Sequence, residues 1–583
     1  MQTKKLKNAL IRAGLAASVL LLGSGAAPAQ VVNLTARGTT VTLPDGSNVP
    51  MWGYFCNDAG SAGASCTLAR GATATAPTAA WAASTVYTVG QVILDPNGNV
   101  QQVTVAGTSG ATAPAFATTP GATTLDGTTL TWTDFGTAAQ YQASYSATWA
   151  PPVITVPTGQ GLTINLTNNL SFTAGTGTNT VPTSLVIVGQ FGGGLGTTAI
   201  SAASPDHTKA QPLTWPIAGD APGAPVTAAG TPPVQGSRVQ SFSTQVAVGT
   251  PASLCWGLTC TTPSPALKPG TYLIESGTHP SIQGPMGLYG ILVVTTAPVT
   301  GATPVAGAAY PAVGTTPAVT YGADIPLLLS EIDPVQNAAV QAAVGTAGFK
   351  ETNVWSGLYG GCGNPLNANG SANTTTYQTC YPPAVNYTPL YYLINGRAFD
   401  KTNASASLFA AAPAGATGTV LVRLVNAGLR MHVPSIVGAQ TGTAVAPALP
   451  PAGFSLIAED GNPLPGVPRV QSEVFMPAGK TTDVMINVPT ATTALPIYDR
   501  ELSLSANSIA RDAGMLAYIG VNGTALPTTG AFATPTATAN PDSYFVVGTN
   551  TLVSPNPVFP TAAWTAVFCT GSISLSSRGM SAL

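Results

Sequence analysis

The stretch Gly270-Thr-Tyr-Leu-Ile-Glu-Ser-Gly-Thr-His-Pro-Ser-Ile-Gln-Gly-Pro-Met-Gly-Leu-Tyr-Gly-Ile-Leu-Val-Val294 leaves the chain few folds to choose from. Tyr272 to Ile274 are β-prone, Gly277, Pro280, Gly284 and Pro285 punctuate a loop, and Leu288 to Val294 form an apolar, β-branched run. That order predicts two strands joined by a tight loop, the second of them buried. Leu162, Ile164 and Leu166 alternate with Thr163, Asn165 and Thr167, the period of a half-buried strand. Only 7% of the 583 residues are charged, against about 25% in an average soluble chain, while 45% are hydrophobic. Such a chain lacks the apolar-poor, charge-rich signature of disorder. Its length predicts several domains, and its glycine- and hydroxyl-rich character predicts an all-β fold with a neutral surface. With so few charges there is no basic patch to neutralise phosphates, which excludes nucleic acid as a partner.

Residues 1–29 read as an export signal. Lys4, Lys5, Lys7 and Arg12 form a basic start, Ala13 to Leu22 a short apolar core, and Ala27-Pro28-Ala29 a cleavage site that leaves Gln30 first. The core is too short to span a bilayer comfortably, and no other stretch approaches that length, so no membrane span is expected after cleavage. Losing four of the 19 basic residues leaves 15 against 21 acidic ones, a net charge of −6. The expected location is periplasmic, extracellular or on the cell surface. In an exported chain the local couples Cys56/Cys66, Cys255/Cys260 and Cys362/Cys380 read as disulfides, and Cys569 is left over.

Along the chain, a turn at Asp45-Gly46 separates two β-like runs between Val41 and Tyr54. After a linker at 61–80, the segment from Trp81 to Gly136 reads as an inserted small β module. Its W-x5-Y-x2-G-x-V opening and DG…TW close resemble modules of chitinases and phage tail fibres, where exposed aromatics stack on sugar rings. By that resemblance Trp81, Tyr87 and Trp132 are glycan-binding candidates. A module this small also needs its aromatics as its core, so both readings stand. His207, in a polar loop, reads as a solvated side chain.

The larger frame resembles the multicopper oxidases, which are built from cupredoxin (plastocyanin-like) domains. Gly270, Thr271, Tyr272, Ser276, Gln283, Gly287, Leu288, Tyr289 and Gly290 match that family's G-T-Y-W-Y-H-S-H…Q…G-L-Y-G run. Pro157 to Leu170 resembles its strand pair ending in N-N-L. Asp324–Asp333, Tyr391–Arg397, Thr419–Gly428, Phe454–Gly461 and Met476–Met485 resemble strand-turn units of its second domain. The resemblance implies an all-β fold of two cupredoxin-like Greek-key β-sandwich domains, at 30–295 and 321–522. A linker at 296–320 would join them, and 523–583 would be a linker and an incomplete C-terminal stub.

The resemblance also implies copper, and here the sequence departs from it. Val186 and Val188 stand where two histidines are expected, and Glu275 and Gly277 where two more are. Valine has no lone pair to give a metal. A blue-copper centre needs two imidazoles and a thiolate, and the family's full set takes about ten histidines. This chain has three, His207, His279 and His432. No His lies between Cys569 and Met580 to complete a copper site there, which leaves Cys569 as an odd thiol. Glu275 and His279 could hold a single divalent metal in an open site. The plainer reading has Glu275 bonding loop amides, His279 exposed and His432 structural. No other catalytic motif is present.

Three functions remain open. The first is a secreted, copper-degenerate protein that binds or scaffolds at the surface. It would take a cell-surface or extracellular polymer, or a protein, as partner. The second is an oxidase of metal ions or phenols whose copper is completed by missing sequence or a partner. The third is a glycan-binding adhesin using the inserted module.

Overall fold

The computed structural model describes residues 30–526 except 61–62, 70–76, 89–90, 145–148, 195–199, 203–236, 259, 261–264, 350–353, 355–359, 361–366, 374, 376–386, 444–448, 490–492, 507–509, 512–513 and 524, together with 545–546 and 551–552. The export signal, His207, Cys362, Cys380, Cys569 and nearly all of the C-terminal tail lie outside the described residues.

The expected all-β class holds, as two β-sandwiches with a small β module inserted in the first. In the first sandwich one sheet runs in the order Ala252–Trp256, Leu162–Asn169, Gln30–Thr42, Asn48–Cys56. The facing sheet runs Val186–Ile187, Gly270–Glu275, Tyr289–Thr295, Pro152–Pro157, Ser65–Leu68. The alternation read from sequence is realised: Leu162, Ile164 and Leu166 are buried, while Thr163, Asn165 and Thr167 are only half-buried. They meet Ile274, Leu292 and Val294 from the facing sheet in one core. Disulfides Cys56–Cys66 and Cys255–Cys260 close short loops at its edges.

The second sandwich pairs a nine-stranded sheet, centred on Ala323–Ile332, Thr419–Asn426 and Thr481–Asn487, with a four-stranded one. Within the stretch 296–320, expected to be a linker, most residues are exposed, but one part is packed. Gly307–Tyr310 and Val319–Tyr321 form a hairpin whose Ala309, Tyr310 and Tyr321 bury against Leu421, Ile457 and Met485. The sandwiches share a further apolar layer in which Leu273, Tyr289 and Ile291 meet Leu328, Ile332, Tyr391 and Val425. One helix, Pro334–Val344, crosses over from the second sandwich. Asp333 caps it by accepting from Val335 and Gln336 N–H, and its Val340, Ala343 and Val344 enter the first sandwich's core. Among the described residues no helix is long and apolar enough to cross a membrane.

Two buried charge clusters organise the second half. Arg423, fully buried, donates Nε to Asp324 at 2.7 Å, and its two terminal nitrogens to Thr271 at 3.1 Å and Thr295 at 3.2 Å. Asp483 accepts from Thr271 and from the Tyr310 hydroxyl, both at 2.7 Å, so this cluster joins the sandwiches. Farther along, His432 is bracketed by carboxylates. Its Nδ1 lies 2.8 Å from Asp499 and its Nε2 3.1 Å from Glu331.

Burial alone would lower the His432 pKa, but the hydrogen bonds to Asp499 and Glu331 outweigh it and raise it to about 9. A raised imidazole pKa gives stability that is fully present below the unfolded value and lost as pH climbs through the folded one. Denaturation midpoints of the mature chain should therefore fall between about pH 7 and pH 10. His432→Ala should flatten that fall and cost about 3–5 kcal/mol at neutral pH, because it strands two buried carboxylates. An unchanged pH profile in the variant would contradict this assignment.

Candidate functional site

The positions that the resemblance assigns to copper ligands meet at one end of the first sandwich. Val186–Ile187 pairs antiparallel with Gly270–Glu275, and Val186 sits opposite Glu275. Residues 276–279 then turn into a single helical turn, Pro280–Gln283, with Pro280 at its first position. His279 precedes that turn in the left-handed conformation, φ 43°.

What fills the space is a dense set of hydroxyls and one amide. Gln283, fully buried, accepts through Oε1 from Thr183 at 2.8 Å and Ser276 at 2.6 Å, and donates through Nε2 to the Pro182 carbonyl at 2.7 Å. Thr278 Oγ1 donates to Ser184 Oγ and lies 2.9 Å from Ser241 Oγ. Ser243 donates to the carbonyls of Leu185 and Gly194, and Tyr54 donates its hydroxyl to Ser184 O at 2.6 Å. Each hydroxyl that burial takes from water is returned a partner, as a closed interior requires.

The site also has no room. A Cβ on Gly277 would stand 2.6 Å from Val186 Cγ2, 3.3 Å from Ser243 Cβ and 3.4 Å from Ser184 Oγ. Val188 packs on the apolar layer between the sandwiches. Burial raises the Glu275 carboxyl above its ordinary value. The Nε2 of His279 lies 3.3 Å from Gln240 Nε2, and its backbone N–H donates to Gln240 O. The described residues thus place Glu275 and His279 in one loop region, with Gln240 beside the imidazole.

The donor set does not fit copper of the blue or trinuclear kind. Among the described residues no group of three or more His, Cys, Asp or Glu could hold a metal ion. His432 has both ring nitrogens committed to carboxylates and, with its raised pKa, keeps no lone pair for a metal at neutral pH.

In the inserted module the three candidate aromatics turn inward. Trp132 is fully buried and Tyr87 is 8% exposed, their rings edge to face at 4.8 Å. The indole N–H groups of Trp81 and Trp132 both donate to Asp126 Oδ2, at 2.8 and 3.0 Å. They form the module's core with Ile93, Val103, Phe116 and Leu130. Of the three, Trp81 is only half-buried. Sequence reasoning singled out Ser276 and Gln283 as parts of a frame but not as a network. Their partner Thr183 lies about a hundred positions away, and no local pattern announces such a bond.

No protein-family model matches the chain. No curated protein matches it either. Several solved structures are similar to it. A blue copper oxidase from Nitrosomonas europaea is 14% identical, with 84% of this chain and 85% of that chain covered, at a TM-score of 0.37. The multicopper oxidase mgLAC is 12% identical, with 85% and 88% covered, also at 0.37. A multi-copper oxidase from Pseudomonas thermotolerans is 13% identical, with 88% and 67% covered, at 0.33.

The closure at Gly277 can be measured. Gly277→Ala should destabilise the chain by about 1–3 kcal/mol through overpacking. Adding Val186→Ala should recover most of that loss, because the two side chains compete for one space. Chemical denaturation of both variants checks this, and a neutral Gly277→Ala would mean the site is open.

Proposed function

We propose that this is an exported, multicopper-oxidase-like protein whose metal positions have been given over to packing. It acts as a binding or scaffold protein outside the cell or on its surface, with an extracellular polymer or another protein as partner. One observation carries the reading: Gly277 is in contact distance of Val186, and the surrounding polar groups bond one another rather than facing an open centre. The neutral surface, with charged residues at 7%, suits contact with polymers or proteins rather than nucleic acid. Export rests on the basic, apolar and A-x-A order of residues 1–29.

The experiment is oxygen uptake by the copper-loaded mature chain with a phenol and, separately, with ferrous iron. Uptake no faster than the same copper salt alone is the expected result. Turnover above that background, lost in His279→Ala, would favour an oxidase whose centre is completed from elsewhere.

A further inference from the structure

Charge is scarce in this chain, at 7% of its residues, yet it gathers at one face of the second sandwich. A groove of about 590 Å³ lies there, and four of the nine residues that line it are charged: Glu459, Arg469, Glu473 and Lys480. Lys480 is spent within the chain, at 3.0 Å from Asp460 and 3.4 Å from Glu459. Arg469 and Glu473 are not: among the described residues neither makes an ion pair. Arg469 donates Nε to Gln471 Oε1 at 3.0 Å, and the Glu473 carboxylate accepts from the Ser472 hydroxyl. An exposed guanidinium and a half-buried carboxylate thus stand on one short segment with their charges unanswered.

That segment is an edge. The strand Arg469–Gln471 pairs with Phe454–Glu459 and, among the described strands, with no other. Such an edge offers its backbone groups to another strand. Just beyond it, the bridges Ser435–Glu473 and His432–Met476 lay 473–476 antiparallel to 432–435. His432 and Met476 are fully buried, so by alternation their neighbours turn outward: Phe475 is 61% exposed, and Met431 is exposed as well. An exposed aromatic with charged residues around it has the make-up of a protein interface, apolar at the centre and polar at the rim.

The charge pattern fixes the occupant. Gln471 lies midway between Arg469 and Glu473. A two-fold axis at Gln471 runs two copies of the segment antiparallel and sets each Arg469 against Glu473 of the partner subunit, so one pair of side chains supplies both cross-axis contacts. A partner carrying one sign of charge would satisfy one of the two and repel the other. We propose that this face binds a second copy of the chain, in a symmetric dimer where Arg469 meets Glu473 of the partner subunit twice and Phe475 packs at the contact. The face belongs to the second sandwich, so the pairing goes beyond the binding role outside the cell and does not depend on it.

The test is sedimentation velocity of the mature chain between about 1 and 100 µM at low ionic strength. Wild type should shift from monomer toward dimer over that range, and less so in about 0.5 M salt, which screens exposed charges. Arg469→Glu and Glu473→Arg, each placing like charges across the axis, should each weaken the dimer at least about tenfold. The two variants mixed should associate again, since every cross-axis pair is then opposite in sign, and that recovery rules out misfolding as the cause of the loss. Both changes in one chain should restore the wild-type affinity. The proposal is overturned if wild type stays monomeric at every concentration, which would leave the face to another protein or a polymer. It is overturned equally if either reversal dimerises as wild type does, or if the mixed variants stay apart.

Discussion

The close approach of Gly277 to Val186 shapes one end of the first sandwich. With no side chain at 277, the loop after Glu275 settles against the valine, and a Cβ there would stand 2.6 Å from it. An imidazole at either position needs the volume that the other now fills. Once that space is closed, its polar lining must satisfy itself, because an unpaired buried hydroxyl or amide costs about 1–3 kcal/mol. Thr183, Ser276 and Gln283 do so among themselves, and Ser184, Ser241, Thr278 and Ser243 extend the set. The region has the character of a packed interior.

The closed end stays in place because the two sandwiches behave as one packed unit around it. Thr271, a few residues before Gly277 on the same strand and loop, bonds both Arg423 and Asp483 of the second sandwich. The helix Pro334–Val344 adds a second tie: Asn337 donates to Pro50 O at 2.9 Å, and Gln336 to Ser281 O at 3.1 Å, within the helical turn that also holds Gln283. A buried guanidinium with two carboxylates and two hydroxyls fixes geometry more than it adds net stability, since desolvation offsets much of the attraction. Its contribution here is register between the sandwiches.

Much of the strand framework was legible because it depends on short-range pattern. The alternation at Leu162–Leu166, the β-branched run to Val294 and the turn residues Asn395-Gly396 and Asp460-Gly461, all at positive φ, fix strands and hairpins locally. The helix at Pro334 carries a local signal too, an Asp N-cap followed by proline, directly after a strand pattern. The seating of Gly307–Tyr310 was not legible, since Ala309 and Tyr310 pack against Leu421 and Ile457, more than a hundred positions away. The lost copper ligands were readable from residue type alone. What replaced them was not, for hydroxyls common in this composition give no sign of which ones will meet. The same holds for the module. Its aromatics could have served as core or platform, and only the burial of Trp132 against Tyr87 and Asp126 settles their placement.

The most direct measurement is the copper content of the mature chain, residues 30–583, after loading with excess copper and desalting. Less than about a tenth of a copper ion per chain is expected, with no blue-copper absorption band, because no imidazole–thiolate set converges at the site. One or more tightly held copper ions per chain, lost in His279→Ala, would contradict it.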